Sequence, residues 1–129
     1  MELMQVAQRA TTLDRAIEFY RDVLGCELLA HFDPPGLVFF DAGQVRLLLE
    51  AAAPSALLYL HVDDVRTAIE ELRGRDVEII SGPMRSSSTP REPFGEPGEV
   101  EWTAFIRDSE GNAVGLDSRH ALAASSDRF

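Results

Sequence analysis

Two short apolar segments, 52 residues apart, carry polar side chains of types that suit a binding or catalytic site. Gln5 and Arg9 alternate with apolar neighbours in the first segment, and Tyr59 and His61 do so in the second. If each segment is a strand, its alternate residues share one face of a sheet. Histidine exchanges protons near neutral pH, so His61 is able to act as a general base. Arg9 suits an anion, and Tyr59 suits stacking on a ring or donating a hydrogen bond.

Each of these residues also has an ordinary structural explanation. His61 would touch water at a strand end or pair with an aspartate that follows it, and Arg9 would form a surface salt bridge. Tyr59 would simply pack. Trp102, which begins the strand after a long loop, would either border a pocket or fill the core. The residue types alone leave these alternatives open.

An internal repeat predicts the elements that position these side chains. Five residues of one helical pattern recur at the same spacing in a second copy. The first copy is Leu13, Ala16, Ile17, Glu18 and Arg21, and the second is Val65, Ala68, Ile69, Glu70 and Arg73. A strand-like run precedes each copy and further strands follow it, which predicts two βαβββ units.

The apolar periodicity gives the bounds of the predicted elements. The first helix begins after Thr11 or Thr12, either of which suits an N-cap, and ends at Gly25. The second begins at Val65 and ends at Gly74. Strands are predicted over 3–9, 27–32, 37–41, 45–50, 57–62, 77–80, 100–107 and 113–117. The first module is then 3–50 and the second is 55–117.

Two segments fall outside this pattern. The stretch 81–99 is rich in Pro, Gly and Ser, and its length is typical of a functional lid or a disordered loop. Residues 118–129 are predicted to form a loosely held polar tail.

Composition narrows the class of protein. A chain of 129 residues with 45% hydrophobic and 26% charged residues suits one globular domain, 1–129. The net charge of −10 argues against nucleic-acid binding. No apolar run is long enough to span a membrane, and the single cysteine excludes an intrachain disulfide. We therefore expect a cytoplasmic protein with no nucleic-acid or membrane partner.

Two segments resemble a known family. Residues 13–25 (LDRAIEFYRDVLG) resemble the first-helix signature of the vicinal-oxygen-chelate superfamily, and residues 105–112 (FIRDSEGN) resemble its Asp-Pro-Asp-Gly-Asn hairpin, with Ser109 in place of Pro. The superfamily includes glyoxalases, epimerases, ring-cleaving dioxygenases and antibiotic-resistance proteins. The resemblance implies an α+β fold in which two tandem βαβββ modules form a cupped half-barrel pair. It implies a fold more strongly than a reaction.

The resemblance also implies where a metal would bind. Metal-dependent members take ligands from the first and last strands of each module, and the corresponding positions are Gln5, Leu57, Leu47 and Gly115. Only Gln5 has a side-chain oxygen, and one neutral amide does not hold a catalytic metal. We therefore predict no metal cofactor. Displaced ligands, such as Glu50 or Asp117, are the alternative.

Three functions follow in order of preference. The first is metal-independent binding of a small organic ligand, as in the bleomycin-resistance branch, with possible sequestration of an antibiotic. The second is a metal-free lyase or isomerase with His61 as base, and the third is a metal-dependent lyase, isomerase or dioxygenase. The expected ligand-binding residues are Gln5, Arg9, Leu47, Leu57, Tyr59, His61, Trp102 and Gly115. By resemblance we also expect a homodimer, which would cover exposed strand edges.

Overall fold

The computed structural model describes residues 1–85 and 99–121. In these two ranges, two helices and eight strands form two βαβββ modules. The first comprises β1 (Gln5–Arg9), α1 (Leu13–Glu18), which continues as a π-helical segment (Phe19–Val23), β2 (Glu27–Phe32), β3 (Leu37–Ala42) and β4 (Val45–Glu50). The second comprises β5 (Leu58–His61), α2 (Val65–Arg73), β6 (Ile79–Arg85), β7 (Glu99–Arg107) and β8 (Ala113–Ala121). The expected α+β fold of paired βαβββ modules is confirmed.

Both modules use the same strand order. The first sheet runs β1-β4-β3-β2 and the second runs β5-β8-β7-β6. The first strand of each module pairs in parallel with the last, and the other neighbours are antiparallel. Residues 1–57 with 108–112 form one compact unit, here called unit 1, and the other described residues form unit 2. Within the described ranges no helix is both long and apolar enough to cross a membrane.

Each helix covers one face of its own sheet. In unit 1, Ala16, Ile17 and Tyr20 are buried, and the Tyr20 ring centroid lies 6.0 Å from that of Phe40. In unit 2, the buried residues of α2 are Val65, Ile69 and Leu72. They pack on the sheet face that carries Ala104, Ile106, Val114 and Leu116, each at most 1% exposed. The repeated apolar pattern therefore makes two similar helix-on-sheet cores.

The turn at 108–112 belongs to unit 1 and stabilises the start of α1. Glu110 accepts hydrogen bonds from the main-chain N–H groups of Thr11 and Thr12 and from Arg15 Nε at 2.7 Å. Thr12 precedes the helix but makes no side-chain capping bond, contrary to the expectation that Thr11 or Thr12 caps it. The Glu110 carboxylate, about 100 residues away in sequence, accepts the main-chain hydrogen bonds at the start of the helix instead.

Two predicted strand ends differ from the structure by four residues or more. Strand β6 continues to Arg85, so the stretch 81–85 is not loop, and β8 continues to Ala121, so the expected tail does not begin at Ser118. Ser118 is 1% exposed, and its hydroxyl accepts the Val65 N–H at the start of α2. The remainder of the expected lid and tail, 86–98 and 122–129, lies outside the described residues. The single-domain organisation stays a prediction.

Acid should weaken unit 1 through Glu110. Burial alone would raise the pKa of Glu110, but hydrogen bonds from Arg15 and Thr12 and the Arg15 charge hold it below its usual range. A lowered folded pKa stabilises the protein above the unfolded value of about 4.3, and this stabilisation is lost as the pH falls through the folded pKa. We expect Glu110→Gln to cost about 1–2 kcal/mol at pH 7, with the difference from wild type narrowing as the pH falls below about 4.3.

Urea unfolding of both proteins at pH 3 and pH 7 measures this difference. Glu70→Gln, which alters an exposed i,i+3 pair with Arg73, is the control and should change little at either pH. A Glu110→Gln deficit of equal size at pH 3 and pH 7 would contradict the prediction.

Candidate functional site

The face of the unit 2 sheet that lies opposite α2 carries an exposed aromatic residue. The register places Tyr59 beside Gly115 and Gly115 beside Phe105, so the three share this face, here called the Tyr59 face. The rings of Tyr59 and Phe105 meet edge to face, with centroids 5.7 Å apart and planes at 77°. Tyr59 is nonetheless 59% exposed. One side of the Tyr59 ring therefore packs against Phe105, and much of the rest is exposed to solvent.

Gly115 makes room for that ring. A Cβ atom at this position would lie 2.7 Å from Tyr59 Cδ2 and 3.1 Å from Phe105 Cε1. These separations are too short for carbon–carbon contacts, which are optimal near 3.5–4.0 Å. The ring of Tyr59 thus occupies the space that any side chain at position 115 would need.

Polar groups lie at one end of the Tyr59 face. His61 is beside Asp117, which is also beside Thr103, and Glu101 follows on the same face of β7. Thr103 Oγ1 donates to Asp117 Oδ1 at 3.1 Å. A hydrogen bond with Asp117, together with burial and the Asp117 charge, raises the pKa of Glu101. Glu101 and Thr103 were not predicted as site residues, although their alternation with the apolar Trp102 and Ala104 was a usable signal.

Trp102 lies on the opposite face of the same sheet. It alternates with Thr103 and shares its face with Ala104 and Ile106, which are fully buried. The Arg66 guanidinium sits over the indole, 4.7 Å from the ring centroid. Trp102 therefore does not share a sheet face with Tyr59 and His61, because strand alternation directs its side chain toward α2. Its role in ligand binding stays a prediction.

Leu47 is also on the other face from its expected neighbours. The register pairs Leu47 with Val6 and with Phe40, on the helix side of the unit 1 sheet, and Leu47 is 3% exposed. Leu48, beside Ala7, takes the position that Gly115 takes beside Tyr59. The placement of Leu47 with Gln5 is wrong because only Gly43 and Gln44 join β3 to β4, whereas five residues join β7 to β8.

The remaining predicted site residues divide between the two units. Gln5 and Arg9 share one face of the unit 1 sheet with Leu48 and Glu50. The Gln5 Oε1 atom is buried and has no hydrogen-bond partner in the described part of the chain. Leu57 precedes β5 and is 53% exposed. Tyr59, His61 and Gly115 are the predicted residues that one sheet face brings together, and the ligand-binding role of all these residues stays a prediction.

The residues at the implied metal positions do not fit a metal. With Leu48 in place of Leu47, the four positions are Gln5, Leu48, Leu57 and Gly115, which offer one amide oxygen. Across residues 1–85 and 99–121, no three His, Cys, Asp or Glu side chains gather as a metal-binding group. Metal independence stays a prediction.

A family model and a related protein that match this chain both carry glyoxalase-type names. The model of the Glyoxalase/Bleomycin resistance protein/Dioxygenase superfamily matches residues 2–116. A "Glyoxylase-like domain-containing protein" of Didymella fabae is 28% identical over 122 residues, with 85% of this chain and 88% of that protein covered.

Two solved structures share the fold. TnmS3, an antibiotic binding protein from Streptomyces sp. CB03234, superposes with a TM-score of 0.71 over 93% of this chain and 97% of its own, and its 23% identity indicates fold alone. A lactoylglutathione lyase from Agrobacterium tumefaciens gives a TM-score of 0.65 at 26% identity, with 91% and 92% of the two chains covered. With a family model that matches residues 2–116, this chain belongs to the Glyoxalase/Bleomycin resistance protein/Dioxygenase superfamily.

Proposed function

We propose that this protein binds a small organic ligand without a metal ion, with the Tyr59 face as the seat of the ligand. The observation that supports the proposal most directly is the Tyr59 ring, which lies over Gly115 and remains 59% exposed. Small-molecule sites are mostly apolar surfaces with a few oriented polar groups. Tyr59 and Phe105 supply the apolar part, and His61, Thr103 and Asp117 supply the polar groups.

Antibiotic sequestration is the form of this function that the relatives favour. The family name includes bleomycin resistance, and TnmS3 is described as an antibiotic binding protein. In such a role the protein needs affinity and no turnover. The donor-poor set at Gln5, Leu48, Leu57 and Gly115 suits that role better than it suits metal-dependent chemistry.

A second candidate is a metal-free lyase or isomerase with His61 as the base. The observation that favours it is the strand register, which places His61 next to Asp117 on the Tyr59 face. An imidazole at the end of the face that seats the ligand is able to accept a proton from that ligand. Conversion of the bound molecule by wild type and not by His61→Ala would select this function over simple binding.

Native mass spectrometry of the protein purified from its own cell extract tests the binding function. We expect an organic adduct on wild type, and Tyr59→Ala should weaken its binding by about 5- to 150-fold because stacking on an aromatic ring contributes about 1–3 kcal/mol. Trp102→Phe, on the opposite sheet face, is the matched control and should retain the adduct. Stoichiometric zinc, nickel, iron or manganese in the untreated protein, with activity lost on chelation, would replace this proposal with a metalloenzyme.

We also propose a homodimer. Strands β2 and β6 end their sheets, and each exposes apolar side chains: Leu29 and Phe32 on β2, Ile80 and Met84 on β6. Edges of this kind are usually paired or covered. Sedimentation at micromolar concentration should give twice the 14.2 kDa chain mass, and a mass near 14.2 kDa would refute the dimer.

A further inference from the structure

The Tyr59 face has a consistent internal layout. Its aromatic part is Tyr59 and Phe105, which flank Gly115, and its polar part begins two residues further along the same strands at His61, Asp117 and Thr103. Two residues of strand span about 6.6 Å, at about 3.3 Å each. A group stacked on the ring would thus have its edge close to the carboxylates.

The charge at this polar end is negative. Asp117 and Glu101 lie on the face as neighbouring carboxyl groups, and Arg119 is the guanidinium that the register places beside Glu101. A hydrogen bond with Asp117 raises the pKa of Glu101, as do burial and the Asp117 charge, whereas the Arg119 charge lowers it. Two carboxyl groups this close repel each other when both are ionised. A cation placed beside them relieves that repulsion.

We propose that the Tyr59 face selects a planar, π-conjugated organic cation, an inference that rests on the proposed function. The cation stacks on the ring of Tyr59 and directs its positive edge to Asp117 and Glu101. The ring attracts a cation through its negative π-face as well as by contact area. The carboxylates give the charge preference, and a planar anion of the same size is disfavoured. Gly115 is the specificity-determining position, because its lack of a side chain leaves the space that the ring of Tyr59 occupies.

Three probes separate the planar and the cationic requirements. Proflavine is planar and cationic, anthraquinone-2-sulfonate is planar and anionic, and tetraethylammonium is a cation without a plane. We expect proflavine to bind wild type at least tenfold more tightly than either of the others, measured by absorbance titration for the two dyes and by competition against proflavine for tetraethylammonium. Equal affinity for the two planar dyes would overturn the charge selection.

Variants assign the binding to the named residues. Tyr59→Ala should weaken proflavine at least tenfold, and Asp117→Asn and Glu101→Gln should each weaken it about three- to tenfold. Glu70→Gln removes an equal charge from an exposed site on α2 and should change proflavine affinity less than twofold. A loss in Glu70→Gln equal to that in Asp117→Asn would show a general effect of net charge and would overturn the site.

Gly115→Ala provides a second variant at the ring itself. The added methyl group meets Tyr59 at 2.7 Å and must displace the ring, so proflavine affinity should fall even though the tyrosine is retained. Unchanged affinity in both Gly115→Ala and Tyr59→Ala would overturn the stacking surface. An organic adduct that is lost in Tyr59→Ala, together with no proflavine binding, would overturn the cation inference and leave the proposed binding function standing; absence of both would overturn the two together.

Discussion

Asp108→Ala should lower the free energy of unfolding by about 3–5 kcal/mol. The Asp108 carboxylate accepts hydrogen bonds from the Tyr20 hydroxyl at 2.7 Å, from the main-chain N–H groups of Glu110 and Asn112, and from Asn112 Nδ2. The residue is 6% exposed, so water does not readily replace the lost acceptor. Each buried donor left without a partner costs about 1–3 kcal/mol, and several are left at once. Urea unfolding at pH 7 measures the loss.

Tyr20→Phe is the matched comparison for that variant. It removes one of the donors and keeps the ring that packs on Phe40, so it should cost about 1–1.5 kcal/mol. The double variant should cost less than the sum of the two single variants because both remove the same hydrogen bond. A loss below about 1 kcal/mol for Asp108→Ala would show that the turn at 108–112 does not hold unit 1 together.

The repeat in the sequence predicted the modules well because helix-on-sheet packing is a local consequence of apolar spacing. Ala16, Ile17 and Tyr20 recur at helical intervals, and the structure buries all three. The faces of β1 and β5 were equally predictable, since alternation along one strand needs no partner. The shared face of Tyr59 and His61 followed from that rule alone.

Which residues of different strands share a sheet face was less predictable, because that depends on the pairing register. Leu47 was assigned to the wrong face because the two modules join their last strands with connections of different length. Trp102 was grouped with Tyr59 although it has the opposite parity on β7. The carboxyl pair of Glu101 and Asp117 was missed for the same reason, since only the pairing of β7 with β8 brings these residues together.

Capping of α1 was unpredictable for a different reason. The sequence offers Thr11 and Thr12 as local caps, and local rules favour them. Glu110 supplies the acceptor from a turn that is distant in sequence. A tertiary hydrogen bond of this kind replaces a local one, and the sequence around the helix start does not indicate it.

Gly82→Ala should destabilise the protein by about 3 kcal/mol, which is about 1–2 kcal/mol more than the same change at Gly43. Both glycines have positive φ, +93° at Gly82 and +82° at Gly43, and alanine in that region costs about 1–2 kcal/mol at either. A Cβ at Gly82 would also lie 2.8 Å from Thr103 O and 2.9 Å from Ala104 Cα, whereas Gly43 has no atom within 4 Å of that position. The neighbours of Gly82 are backbone of β7, which cannot rotate away.

The comparison of the two alanine variants isolates the cost of this close approach from the cost of positive φ. Gly82 lies where the pairing of β6 with β7 is irregular, between Ser81 and Met84, and the irregularity brings Met84 beside Thr103 on the Tyr59 face. Parallel urea unfolding of Gly82→Ala and Gly43→Ala should differ by about 1–2 kcal/mol, the cost of forcing a backbone shift in a packed sheet. Equal losses in the two variants would mean that β6 moves away from β7 freely, and the edge that shapes the Tyr59 face would then be soft rather than fixed.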